Sequence, residues 1–153
     1  MAISKRGESK PAKSSCRNRL DTAYIAFFAL HLVIMFVLDL VPLYPESIKP
    51  VALEKLRQLY IDKYQDKFFT EPPGWFRAYI VMEAVYHVPA SIAIIRGLLN
   101  DDAFVPVHLL VWAVQSFITT LTCLVEVWDW TDRTREQKYN ISLLYGPYVA
   151  LGK

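Results

Sequence analysis

Several features that are common in soluble enzymes and nucleic-acid-binding proteins are missing from this chain of 153 residues. It has only five glycines, and they form no phosphate-binding loop or nucleotide-binding motif. The zinc pattern HExxH, clustered Cys/His pairs and the residue order of a Ser-His-Asp triad do not occur. The net charge is only +2 and the basic residues are scattered, which is unlike a nucleic-acid-binding surface. We therefore expect no metal, no cofactor and no nucleic-acid partner.

The chain has only two cysteines, and they lie in different surroundings. Cys16 belongs to a basic, polar stretch, whereas Cys123 lies deep in an apolar run. We therefore expect no disulfide. Cys16 is close enough to an apolar run for palmitoylation, but an inert thiol is the simpler interpretation.

Apolar residues, in contrast, are abundant: 54% of the chain is hydrophobic, which is typical of a membrane protein. Four apolar segments, at about residues 22–43, 75–99, 104–125 and 139–153, predict an all-α membrane protein with a four-span transmembrane helix bundle. The first three have about the 20 residues that a spanning helix needs. The fourth, at about 1.5 Å per residue, reaches only ~22 Å of a hydrocarbon core of ~30 Å. The fourth span therefore looks truncated.

The polar segments outside these runs have distinct roles. Residues 1–19 carry six basic residues and little to bury, which predicts a disordered basic tail in the cytosol before a transmembrane domain at 20–153. Residues 44–73 are polar and contain one apolar helical face. We expect a short amphipathic helix there, lying on the membrane surface or capping the bundle. The residues that form this face are Leu53, Leu56, Tyr60 and Tyr64.

Ionisable residues lie inside the apolar runs, where an acid costs about 2.5–3.5 kcal/mol. Asp39 is near the end of its span and could either reach water or serve a site. Glu83 and His87 are four residues apart, so they could form a buried hydrogen-bonded pair or carry a function. His31 and His108 are single imidazoles on apolar helices, for which packing or hydrogen bonding is the simpler interpretation.

The third span has no formal charge between Phe104 and Val125, and its polar residues follow one helical stripe. This stripe predicts a face that packs against protein and not lipid. Its members are His108, Gln115, Thr119, Thr122 and Glu126.

A set of motifs along the chain resembles the sigma-2 receptor family. The most specific is Glu71-Pro72-Pro73-Gly74-Trp75-Phe76, in register with acids upstream and downstream. That family consists of four-span endoplasmic-reticulum proteins in the EXPERA-domain group, which also holds the emopamil-binding sterol isomerases. The resemblance covers about residues 22–150. The remaining matching residues are Asp39-Leu40, Tyr44-Pro45, Asp66, Glu83, Pro89 and Tyr145-Gly146-Pro147-Tyr148.

The resemblance implies a pocket inside the bundle that opens towards the bilayer and accepts sterols or hydrophobic amines. It implies that Asp39 pairs with a ligand ammonium, that Asp66 supports it from the loop, and that Glu83 is a pocket acid. One departure is His87, which stands where a glutamine is expected, and the other is the early end of the fourth span. The full set of ligand-binding candidates is Asp39, Asp66, Glu83, His31, Gln115, Thr119, Tyr145 and Tyr148.

Three functions are compatible with such a pocket. The first is a binding protein of the endoplasmic-reticulum membrane that takes sterols or other lipophilic ligands and acts in sterol or lipid handling. The second is a sterol or terpenoid isomerase or cyclase, in which Glu83 protonates a double bond and His87 or Asp39 takes up a proton. The third is a membrane-protein quality-control or interaction factor whose pocket is incidental. The expected partners are the ligand, the bilayer, and a homodimer mate or another membrane protein.

Overall fold

The computed structural model describes residues 15–151, with side chains from 19 to 150. This part of the chain is helical and contains no strand, which confirms the all-α prediction. The first fourteen residues of the predicted tail lie outside the described residues, and its end at 15–19 begins the first helix. The helices are α1 (Ser15–Ile34), α2 (Val51–Tyr64), α3 (Lys67–Thr70), α4 (Gly74–Met82), α5 (Val88–Asn100), α6 (Val105–Asp129) and α7 (Arg135–Leu151).

Three helical segments in the described chain are long and apolar enough to cross a membrane: Arg19–Asp39, Gly74–Asn100 and Val105–Asp129. Their lengths of 21, 27 and 25 residues match the hydrocarbon core. The protein is therefore an α-helical, multi-pass membrane protein. The predicted fourth span coincides with α7, a helix of 17 residues that is not one of these three segments. The four-span count stays a prediction.

Local sequence signals explain where several helices begin and end. Because Pro72 and Pro73 lack a backbone N–H, α4 starts immediately after them, at Gly74. At the other end of the span, Asp101 adopts a left-handed conformation with φ 58° and closes α5. The turn is tight because Gly97 lies against the first residue of α6, Val105. The short connection makes α5 and α6 neighbours, as is usual for helices joined by few residues.

The amphipathic helix α2 caps the bundle, which is one of its two predicted positions. It packs against the helical turn Met35–Asp39, which directly follows α1, and against α7, although none of its residues is fully buried. Its inward face differs from the prediction, because Leu56 is exposed and Arg57 lies inward in its place. The guanidinium of Arg57 donates a hydrogen bond to the carbonyl oxygen of Phe69 at 2.9 Å, which satisfies part of its hydrogen-bonding capacity at that position.

The buried face of α6 is not the predicted polar stripe. His108 is exposed, and the other four stripe residues are only partly buried. The hydroxyls of Thr119 and Thr122 donate to carbonyl oxygens of their own helix, so they need no partner from another helix. The prediction that this stripe packs against protein is therefore wrong for His108 and holds only in part for the other four residues. The buried residues of α6 are Val105, Trp112, Ser116, Thr120, Cys123 and Val127.

Candidate ligand-binding cavity

A cavity of about 330 Å³ lies between α1, α2, α4, α6 and α7. This volume is within the range of small-molecule binding sites, about 300–1,000 Å³. Much of its wall is apolar or aromatic, and includes Leu38, Phe76 and Ile80. Pro42 and Leu144 line the cavity and are also exposed on the surface. The cavity therefore reaches the outside of the protein between helices.

Two π-helical turns carry acids that line this cavity. In the first, Met35–Asp39, the backbone N–H of Leu40 donates to Met35 O at 2.8 Å, five residues back. In the second, Glu83–His87, the N–H of Val88 donates to Glu83 O. Each turn contains one residue more than an α-helical turn, which rotates the side chains that follow. Such bulges are frequent at functional sites.

A proline next to the second π turn gives a local reason for it. Pro89 has no N–H to donate to the carbonyl of Val85, four residues earlier, and its ring clashes with that carbonyl in a regular helix. A π turn immediately before the proline removes this conflict while keeping the span continuous. The sequence shows the proline, but hydropathy does not reveal the bulge.

Asp39 and Glu83 face the cavity from these two turns. Within residues 15–151, neither carboxylate accepts a hydrogen bond. A hydrogen bond between Glu83 and His87, one of the two alternatives for this pair, does not form in the described structure. Residues four apart are not stacked in a π turn as they are in an α-helix. Both acids are therefore available to a ligand.

Asp66 lies behind the cavity wall and does not line it. The side chain is fully buried at the start of α3. It accepts hydrogen bonds from the backbone N–H of Phe68 at 2.9 Å, from the Tyr60 hydroxyl at 3.0 Å and from the Tyr145 hydroxyl at 3.2 Å. Because both tyrosines line the cavity, Asp66 fixes part of its wall.

Burial is the main influence on the ionisation of Asp66 and Tyr60. It raises the pKa of Asp66, although the hydrogen bonds that the carboxyl group accepts act in the opposite direction. Burial also raises the pKa of Tyr60, and the neighbouring Asp66 charge adds to the effect. Asp66, Tyr60 and Tyr145 therefore form a buried hydrogen-bonded unit and not an exposed ion pair.

Arg57 lines the cavity but was not among the predicted site residues. Its guanidinium carbon lies 5.2 Å from the centre of the Phe69 ring, a cation–π geometry. Burial lowers the pKa of Arg57, while the carboxylates of Asp39 and Glu54 act to raise it. Arg57 therefore places a positive charge near the Asp39 carboxylate. Its position four residues after Leu53, on the inward face of α2, is the sequence signal that would have identified it.

The opposite part of the cavity contains two histidines. His31 and His87 line it and are both buried. The Nδ1 atom of His31 is 3.3 Å from the Tyr148 hydroxyl. The ring of Trp112 packs against both imidazoles, with centroid distances of 5.2 Å to His31 and 5.3 Å to His87. These aromatic contacts hold both rings in place.

The predicted site residues do not all meet at the cavity. Asp66 supports the wall from behind, and Gln115 does not line the cavity because α6 presents its neighbour Ser116 instead. Thr119 does line it. Residues that sequence reasoning did not include are Arg57, Tyr60, Ser116, Thr120 and Cys123. The predicted residues at the cavity are Asp39, Glu83, His31, His87, Thr119, Tyr145 and Tyr148.

Neither metal nor disulfide chemistry is indicated by the described side chains. Across the described part of the chain, no three His, Cys, Asp or Glu residues are arranged to hold a metal ion. Cys123 is a buried free thiol. The side chain of Cys16 lies outside the described residues, so the prediction of no disulfide stays a prediction for that residue.

Comparisons with known proteins identify the family. The model of the EXPERA family (EXPanded EBP superfamily) matches residues 52–152. The chain is 28% identical over 137 residues to efficient mitochondria targeting-associated protein 19 of Schizosaccharomyces pombe, covering 88% of this chain and 72% of that protein. It is 22% identical over 141 residues to human sigma intracellular receptor 2, covering 82% of this chain and 78% of the receptor. The family match spans more than half of the sequence, so the chain belongs to the EXPERA family, and sigma intracellular receptor 2 is among the proteins that it resembles.

Proposed function

We propose that this membrane protein binds a sterol or another lipophilic ligand, including hydrophobic amines, in the cavity. The observation that carries the proposal is that Asp39 and Glu83 face the cavity, and neither accepts a hydrogen bond within the described residues. A buried charge without a partner costs several kcal/mol. A ligand that brings an ammonium or a hydrogen-bond donor offsets this cost, so the two acids favour such ligands.

Arg57 modifies this preference without removing it. The guanidinium interacts with Asp39, but its Nη2 donates to the backbone of Phe69, and Asp39 receives no hydrogen bond from it. A cationic ligand placed between the two carboxyl groups would be attracted to both. The proposed ammonium position therefore has two carboxyl groups near it, from Asp39 and Glu83, and one guanidinium group, from Arg57.

The remaining wall is suited to a rigid apolar skeleton. Phe76, Tyr79 and Tyr145 offer aromatic faces, and Ile80 and Met82 add aliphatic surface. Aromatic faces attract a cation and pack well against rings. The exposed edge of the cavity at Pro42 and Leu144 supports entry of the ligand from the bilayer.

Membership of the EXPERA family supports a role in sterol or lipid handling, and the names of two relatives bear on location and role. One is named an intracellular receptor and another is named for mitochondrial targeting. Together with the family resemblance, the first name favours an endoplasmic-reticulum membrane location and a receptor or carrier role. A homodimer or a membrane-protein partner stays a prediction.

Binding of a tritiated lipophilic amine to the purified protein tests this proposal. Asp39→Asn should weaken affinity by at least about 30-fold, because it removes one member of a buried charge pair worth about 2 kcal/mol or more. Glu126→Gln is the matched control, since Glu126 lies on a spanning helix but does not line the cavity. Equal affinity of wild type and Asp39→Asn would remove Asp39 from the site and contradict the proposal.

An isomerase or cyclase is the second candidate, and a specific observation favours it: Glu83 and His87 line the same cavity. Glu83 would donate a proton to a ring double bond, and the resulting carbocation would lose a different proton to His87 or Asp39. The reaction moves a double bond and needs no oxidant or reductant. Incubation with candidate sterols followed by mass spectrometry and NMR distinguishes the two functions. Unchanged sterol supports a binding protein, whereas a shifted double bond that disappears in Glu83→Gln supports the enzyme.

A further inference from the structure

We propose that a second pocket, at the end of α6, binds the headgroup of a zwitterionic phospholipid that carries a primary ammonium. In this site Lys67 and Trp130 bind the phosphate, and Glu71 and Glu126 bind the ammonium. The pocket shares a wall with the ligand cavity at Phe68, but none of its charged side chains lines that cavity. The headgroup site is therefore separate from the cavity and does not depend on what the cavity binds.

The pocket lies where two spanning segments end. Trp130 directly follows Asp129, the last residue of α6, and Pro73 directly precedes Gly74, the first residue of α4. Because the hydrocarbon core ends near these positions, the pocket lies at the depth of the lipid headgroups, where tryptophan is enriched. Its volume of about 180 Å³ is below the range of about 300–1,000 Å³ that is usual for small-molecule sites. The space therefore suits a headgroup and not a second sterol.

Two carboxylates of the pocket are available to a cation. Glu126 is partly buried and lies inside the third spanning segment, about one helical turn before its end. It forms no ion pair and accepts no hydrogen bond within the described residues. Glu71, in the loop before α4, is exposed and is likewise unpaired in this part of the chain. A primary ammonium in the pocket could donate a charge-assisted hydrogen bond to each of them.

Two donors of the pocket are available to a phosphate. Trp130 is only 7% exposed, and its indole Nε1 donates no hydrogen bond within the described residues. Unlike the Nε1 atom of Trp112, which is closed off, that of Trp130 keeps some exposed surface. The second donor is Lys67, whose Nζ lies 6.0 Å from the centre of the Trp130 ring and 3.1 Å from Asp132 Oδ1. An ammonium has three N–H groups, so Lys67 can bind a phosphate oxygen and keep its ion pair.

The charges around the pocket favour a zwitterion over an anion. Lys67 supplies the positive charge of the wall, and Asp132 beside it is also paired with Arg133 at 2.9 Å. An anionic headgroup would be attracted to Lys67 but repelled by Glu71 and Glu126. A headgroup with both charges satisfies the lysine and the two glutamates together.

Hydrogen bonding indicates which zwitterion is preferred. The primary ammonium of ethanolamine has N–H groups for Glu71 and Glu126, whereas the trimethylammonium of choline has none. Both cations are attracted to the face of an indole such as Trp130, so that contact does not distinguish them. The expected order of affinity is phosphatidylethanolamine, then phosphatidylcholine, then phosphatidylglycerol.

Native mass spectrometry of the detergent-purified protein, titrated with the dioctanoyl forms of these three lipids, tests the order. Phosphatidylethanolamine should bind about ten-fold more tightly than phosphatidylcholine, which corresponds to about 1.4 kcal/mol and is of the order of one hydrogen bond to a charged group. Free phosphoethanolamine carries the same headgroup without acyl chains, so it should bind far more weakly than the lipid. Equally tight binding of free phosphoethanolamine would overturn the assignment to a lipid.

Variants separate the ammonium contact from the phosphate contact. Glu126→Gln should reduce the ten-fold preference to about two-fold or less, because it removes one carboxylate from the ammonium position. Glu136→Gln, at an exposed acid of α7 that does not line the pocket, is the matched control and should keep the preference. Trp130→Phe keeps an aromatic ring but removes the N–H. It should weaken both lipids by a similar factor of about three to ten and leave the preference unchanged, since both lipids carry the phosphate.

The results also separate this site from the ligand cavity. Equal affinity of wild-type protein for the ethanolamine and choline lipids would overturn the inference, as would a ten-fold preference that survives both Glu126→Gln and Glu71→Gln. Glu71→Gln is the second variant if Glu126→Gln does not yield folded protein, because Glu71 is exposed. Loss of amine binding in Asp39→Asn with an unchanged lipid preference would support two independent sites.

Discussion

Replacement of Asp66 tests how the buried loop acid supports the cavity. Asp66→Ala removes an acceptor that serves one backbone N–H and the hydroxyls of Tyr60 and Tyr145. At about 1 kcal/mol for each lost hydrogen bond, the free energy of unfolding should fall by about 3 kcal/mol. For a chain of this size, the melting temperature should then fall by roughly 6–12 °C.

Asp66→Asn should be much less damaging than Asp66→Ala. The amide keeps an oxygen for the N–H of Phe68, and the tyrosine hydroxyls can rotate to accept from its nitrogen. Burial raises the pKa of Asp66, so the negative charge itself does not stabilise the fold. We expect a loss of about 1 kcal/mol or less.

Thermal unfolding of detergent-solubilised protein, followed by fluorescence-detected size-exclusion chromatography, measures these changes. Asp62→Ala is the matched control, because Asp62 is an exposed acid near Asp66 whose carboxylate accepts a hydrogen bond only from Gln58, at 2.8 Å, within the described residues. It should change the melting temperature by less than about 2 °C. An equally small change for Asp66→Ala would refute the supporting role of Asp66.

Three further predictions follow from single residues. Because the folded-state pKa of Asp66 is raised, its contribution to wild-type stability should be fully present below the ordinary carboxyl pKa and be lost as pH rises through the raised value. Asp66→Asn should flatten this part of the profile in pH-dependent melting curves. Arg57→Gln should raise the affinity for the tritiated amine about three- to ten-fold, because the guanidinium no longer repels the ammonium. Lys55→Gln, on the exposed side of α2, is the control and should leave this affinity unchanged. Gly97→Ala should lower the free energy of unfolding by about 1–3 kcal/mol in the same melting assay, since the new Cβ would lie 2.5 Å from a Val105 methyl. Gly146→Ala is the control: a Cβ there would have no neighbouring heavy atom within 4 Å, so this variant should not destabilise the protein.

The helices were predictable because they depend on simple properties of the sequence. Apolar runs of spanning length predicted three segments that the structure forms, and Pro72 and Pro73 predicted the start of α4. Hydropathy and proline chemistry act over short stretches of chain. The cavity acids Asp39 and Glu83 stood out because charged residues in apolar runs are costly.

The buried face of α6 could not be predicted in the same way. The sequence argument took the polar stripe of this span as the face that packs against protein. Thr119 and Thr122 instead bond to carbonyls of their own helix, and Ser116 and Thr120 take the buried positions. Short hydroxyl side chains can satisfy themselves in this way, so their periodicity is a weak guide to the buried face.

The two π turns were also beyond the sequence argument. One extra residue in a turn changes which side chains share a face, but it leaves the hydropathy and length of the span nearly unchanged. A regular helix would have stacked Glu83 on His87, whereas the π turn separates them. Arg57 was missed because only the apolar residues of α2 were used to define its inward face.

The most direct test of the central claim is a structure of the protein in complex with a lipophilic amine. The account predicts that the ligand nitrogen lies within about 4 Å of the Asp39 carboxylate, with the apolar skeleton inside the cavity. A ligand bound on the outer surface of the helices, with Asp39 and Glu83 untouched, would contradict it.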